Sequence, residues 1–154
     1  METSNFKNTA TFTHLSTLSQ YFIPFGNYIF PIIIWTTNKE KSEFVNHHGK
    51  QTLNFQLSLL LYSLVLALVA IPIFFTLIFR NLPISAVIED EAFIFNNFNN
   101  FNFSDNIGLL SIGVLALFLF CLLKIVEFYL VIYASIKASN GEWYKYPMTI
   151  NFLK

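Results

Sequence analysis

Apolar residues fall into three long segments, at 14–36, 53–79 and 107–139, set apart by polar stretches at 1–13, 38–52, 80–106 and 140–154. The middle segment, LNFQLSLLLYSLVLALVAIPIFFTLIF, carries no charge and has no face that is polar along its whole length. At ~1.5 Å per residue its helix would be about 40 Å long, longer than the roughly 30 Å hydrocarbon core of a bilayer. The third segment would reach about 50 Å as a straight helix. It fits a bilayer only by tilting, by projecting beyond it, or by breaking into two shorter pieces.

The first segment contains Pro24, Gly26 and Pro31. Each proline removes a backbone donor and crowds the carbonyl four residues earlier, which predicts a kink or split near Pro24-Phe25-Gly26. Two arrangements follow, a bent span or a re-entrant pair of half-helices, and the bent span is the expectation. Trp35 suits the interface at its end. The pattern therefore predicts an all-α membrane bundle, a single membrane domain of three spans, or four if the third segment splits.

His47, Gln51, Asn54, Ser58 and Tyr62 recur every three or four residues and so share one helix face. Amide and hydroxyl side chains prefer a protein neighbour to lipid, so this face should look into the bundle. Residues 80–106 hold the acidic run Glu89-Asp90-Glu91 and the repeat FIFNNFNNFNF, whose rings could lie in the headgroup region. The Thr- and Asn-rich residues 1–13 read as mobile or headgroup-bound. At the other end, Asn140-Gly141 supplies a helix stop. The tail beyond it alternates Met148, Ile150 and Phe152 with polar residues, which suits an extended segment against the membrane face.

Composition agrees. The 154 residues are 55% hydrophobic and 12% charged, with a mean hydropathy of +0.54, whereas soluble domains have about 25% charged residues. The net charge is zero, which argues against nucleic acid as a partner. Lys39, Lys41 and Lys50 lie in the first linker, and Lys137, Lys145 and Lys154 near or in the tail. The positive-inside rule then makes linker and tail cytoplasmic and the 80–106 connection extracytoplasmic, in a multi-pass protein of the bacterial inner membrane. No cleavable signal peptide is expected. The lone Cys121 reads as a packing residue.

Lys124 and Glu127 lie three residues apart within the third segment, close enough to pair. Each costs about 2.5–3.5 kcal/mol at mid-bilayer. The surrounding apolar residues, at about −0.3 to −0.6 kcal/mol each, still carry the segment in. An ion path is one reading of the pair and the boundary of a split helix another; packing against a partner or within the bundle is the preferred one. His14, His47 and His48 lack the carboxylates and spacing of a metal site, so no metal or other cofactor is expected. His48-Gly49-Lys50 reads as a turn into the second span. Neither a nucleophile motif nor a phosphate-binding glycine loop occurs, and the expectation is a non-enzymatic protein.

Three blocks carry a resemblance: HLSTLSQYFIPFGNYIFPIIIW, FVNHHGKQTLNFQLSLLLY and ASNGEWYKYPMTINFLK. In order and spacing they resemble a widespread family of small bacterial membrane proteins of uncharacterised function. That family is similar to the twenty-kilodalton membrane subunit of the chloroplast inner-envelope protein-import translocon. The matching positions are His14, Pro24, Gly26, Pro31, Trp35, His48, Gly49, Lys50, Asn54, Phe55, Gln56, Gly141, Glu142, Tyr146 and Pro147. Asn46, His47 and Gln51 depart from a pattern that is more acidic there, and Lys124 and Glu127 are not part of it. The resemblance implies a subunit or assembly factor of a translocation or other membrane complex. Its contacts would be lipids and either partner membrane proteins or further copies of itself. The alternative is a small-solute or ion transporter formed by oligomerisation.

Overall fold

A computed structural model describes residues 3–81 and 103–153. The Phe/Asn repeat and the acidic run lie outside them. Four α-helices follow in order: α1 (Ser4–Leu15), α2 (Gly26–Asn38), α3 (Glu43–Asn81) and α4 (Phe103–Asn140), with a 3-10 helix (Ser16–Tyr21) after α1. The chain divides into two compact units, Met1–Tyr62 with Leu123–Lys154, and Ser63–Leu122.

Residues 1–13, expected to be mobile or headgroup-bound, contribute most of α1. Its helicity comes from docking: Ala10, Thr13 and His14 are buried. Threonines also bond back to the preceding turn, Thr9 to the Asn5 carbonyl and Thr13 to the Thr9 carbonyl.

The expected break near Pro24 is present and goes further than a kink. Phe25 takes a left-handed conformation (φ 60°), and α2 restarts after it as a helix of 13 residues. That is about 20 Å, too short for an upright span. Among the described residues two helices, not three or four, are long and apolar enough to cross a membrane, Glu43–Leu77 and Ile107–Asn140.

The linker expected over 38–52 is mostly helix. Ser42 caps α3, its hydroxyl accepting from the Val45 N–H at 3.4 Å, and Glu43 suits the positive end of the helix dipole. His48-Gly49-Lys50 is therefore helix interior and not a turn. The close approach there explains Gly49, since a Cβ on it would overlap the Trp35 ring. The Trp35 indole N–H donates to Asn46 Oδ1 at 2.9 Å and fixes that ring. Gly49→Ala should therefore lower stability by about 1–3 kcal/mol, because overpacking outweighs the ~1 kcal/mol that alanine adds to helix propensity. A detergent melting midpoint equal to wild type would contradict this packing.

The third apolar segment does not split: α4 is continuous. It stops at Gly141 (φ 81°), whose N–H donates to the Ala138 carbonyl at 2.9 Å. Cys121 is exposed and not a packing residue.

Most large apolar side chains on the long helices face outward. Within the first unit these include Leu60, Leu61, Ile125 and Phe128. The second unit brings α3 and α4 together at Gly113, where a Cβ would touch Ile73 at 3.6 Å. A soluble core helix hides such residues; these helices display them, as lipid contact requires.

Candidate functional site: a buried polar core and a docked tail

The interior of the first unit combines apolar residues such as Phe44, Phe55 and Val131 with many polar ones. His14, His48, Thr13, Thr17, Thr52, Asn54, Gln56, Ser58 and Glu127 are all buried.

At its centre His14 Nε2 lies 2.8 Å from His48 Nδ1. His14 Nδ1 lies 2.9 Å from the Tyr146 hydroxyl and 2.8 Å from Thr52 Oγ1. The Thr52 hydroxyl donates to the His48 carbonyl at 2.8 Å, so its oxygen can only accept from His14. This commitment assigns the hydrogen of His14 to Nδ1, shared between Thr52 and Tyr146. His14 Nε2 then offers a lone pair, and His48 donates from Nδ1. Among the described residues neither the far nitrogen of His48, Nε2, nor Gln51 Oε1 has a partner within hydrogen-bond distance.

Tyr146 also stacks on Phe55, with ring centroids 4.1 Å apart and an interplanar angle of 5°. Burial, reinforced by Tyr144 and Glu127, holds its hydroxyl well above the ordinary tyrosine range, so it stays neutral.

The expected polar face of α3 does look inward, and what it holds is the chain's own C-terminal tail. Asn54 donates to the Leu153 carbonyl at 3.0 Å and accepts from the Phe152 and Leu153 N–H groups at 3.1 and 2.8 Å. Ser58 Oγ accepts from the Ile150 N–H at 2.8 Å while donating to the Asn54 carbonyl. The Tyr62 hydroxyl donates to the Met148 carbonyl at 2.8 Å, and His47 Nε2 lies 3.0 Å from the Tyr144 carbonyl. Four of the five face residues thus bind tail backbone. Gln51 is buried on the same face without a tail bond.

Lys124 and Glu127 form the expected ion pair at 2.8 Å, with Glu127 buried and Lys124 partly exposed. Gln20 completes it, donating to Glu127 Oε1 at 2.8 Å and accepting from Lys124 at 3.2 Å. A neighbouring clasp joins Asn27 Nδ2 to Gln56 Oε1 at 2.8 Å.

Of the family-matched positions, His14, His48 and Tyr146 meet in the central network. Asn54, Phe55 and Gln56 line the tail and clasp contacts, and Trp35 meets Gly49. Gly141 ends α4, and Glu142 reaches Lys137 at 2.6 Å. Sequence reasoning missed Thr52, Gln20 and Asn27. Among the described residues no group of three or more His, Cys, Asp or Glu side chains could hold a metal ion.

Residues 5–153, which include the whole central network, match the magnetosome magnetite crystal formation protein family, MamF/MmsF. The chain belongs to that family. No curated protein and no solved structure matches it. The MamF/MmsF match agrees with the sequence-based resemblance at the level of a small bacterial membrane family, and contains no link to the import translocon.

Proposed function

We propose that this MamF/MmsF-family protein is a non-catalytic, multi-pass component of a bacterial membrane, anchored by α3 and α4. In this reading it serves as a structural or assembly subunit of the membrane complex in which magnetite crystals form. The family's description supplies the setting. One observation carries the mechanical part: the polar side chains of α3 are spent on the chain's own tail and core, while the outward side chains of the long helices are apolar. Such a molecule offers neighbours a rigid apolar face, on which packing alone can assemble spans. The sequence resemblance to a family that is itself similar to a translocon subunit would point the same way, as analogy alone. The lysine distribution supports a cytoplasmic tail and α2–α3 linker.

The test is gentle solubilisation from native membranes. The expected result is a complex larger than a homo-oligomer, with the same membrane-protein partners in repeated preparations. A clean homo-oligomer would count against it.

A transporter reading rests on the Gln20–Lys124–Glu127 cluster. It requires that Lys124→Met combined with Glu127→Gln change ion flux in liposomes. The internal neutralisation of the pair favours packing, and the expected result is that wild type and double variant are equally silent.

A further inference from the structure

The N-terminal residues run alongside the two long helices in a fixed register. On one side of the fold, Lys7 Nζ reaches the Asn140 carbonyl, Thr11 the Ser135 carbonyl, and Gln20 both Lys124 and Glu127. Residue numbers rise on one strand of this ladder as they fall on the other, so α1 and the 3-10 helix are antiparallel to the end of α4. On the other side, Asn27 and Tyr28 meet Gln56, while Trp35 meets Asn46 and Gly49. Helix α2 is thus antiparallel to the start of α3.

The depths agree. Glu127 lies about 20 Å along α4 from Asn140, Gln56 lies about 20 Å along α3 from Glu43, and α2 itself is about 20 Å long. Lys50, the last charge on α3 before Arg80, lies about 9 Å short of Gln56. The chain between 4 and 38 therefore descends, reverses and returns to the level from which it started, and its turn stops about 10–20 Å down, short of the far side of a ~30 Å core.

The turn is built for a dry setting. The Gly26 N–H bonds the Ile23 carbonyl at 3.0 Å, and the Tyr28 and Ile29 N–H groups bond the Phe25 carbonyl at 3.0 and 3.1 Å. Irregular backbone at membrane depth needs such internal partners. Its side chains are left largely uncovered by the described residues: Phe22 is 88% and Phe25 72% exposed, with Tyr21 and Ile23 about half exposed beside them. Leu60, Leu61, Ile125 and Phe128 of the same unit are likewise apolar and exposed.

We infer that residues 4–38 form a re-entrant helical hairpin whose tip, Tyr21–Phe25, lies among lipid acyl chains inside the bilayer. The N-terminus, the α2–α3 linker and the tail then share one side of the membrane. The inference rests on α3 and α4 crossing lipid, as proposed above.

Single cysteines in a Cys121→Ala background test it in vesicles of both orientations. Asn8→Cys and Glu40→Cys should react with an impermeant maleimide from the same side. A spin label on Phe22→Cys should be accessible to oxygen and shielded from a water-soluble nickel complex. Labelling of Asn8→Cys and Glu40→Cys from opposite sides would overturn the hairpin. So would nickel access at Phe22→Cys, or spin–spin broadening there from a second copy. Release of the wild-type chain by alkaline carbonate would instead sink the spanning proposal itself, which keeps the two failures apart.

Discussion

His14→Leu should lower the stability of the detergent-solubilised protein by about 3 kcal/mol or more. Leucine fills the space but strips three buried groups of a partner at once: His48 Nδ1, the Tyr146 hydroxyl and Thr52 Oγ1. An unsatisfied buried donor or acceptor costs about 1–3 kcal/mol. Thr52 keeps its bond to the His48 carbonyl, so the sum falls below the maximum. His14→Leu combined with His48→Leu should cost less than the two single changes added, because the shared bond is lost only once. Strict additivity in that cycle would mean that the two rings do not touch. Tyr146→Phe, which keeps the stack on Phe55 and removes only the hydroxyl, should be milder, at about 1 kcal/mol.

Asn54→Leu should release the tail. One side chain makes three bonds to the backbone of Phe152 and Leu153, and a typical net value of about 1 kcal/mol each gives a loss of about 2–3 kcal/mol. Because the lost contacts are local, the predicted signature is two-fold: a lower melting midpoint, and much faster removal of tail residues by carboxypeptidase. Ser58→Ala, which frees only the Ile150 N–H, should show a weaker form of both. A tail as protease-resistant in Asn54→Leu as in wild type would refute this docking.

The polar face of α3 was legible because helical spacing is a local property: from His47 to Tyr62 the residues announce a shared face whatever they touch. Its occupant was not, since the tail lies nearly a hundred residues away in sequence and is held through its backbone, which leaves no side-chain signature. The Lys124–Glu127 pair was equally local. The re-entrant arrangement was visible only as one of two options, because Pro24 and Pro31 say that the helix breaks and not where the chain goes next. The inference of it rests on Gln20 reaching α4 and Asn27 reaching α3 on either side of the break. Helix α1 was hidden for a different reason. Threonine and asparagine have modest helix propensity, and burial of Ala10, Thr13 and His14 supplies what propensity lacks. The expected linker concealed half a turn of logic of the same kind: Ser42 and Glu43 are a helix start, but the charges around them read as loop.

Because α3 grips the tail by amide groups, the identity of the gripped amino acids matters little to the grip. A routine alanine scan of Met148–Leu153 would therefore pass over this attachment almost silently. Proline at Ile150 or Leu153, each of which offers its amide hydrogen to α3, would expose it at once.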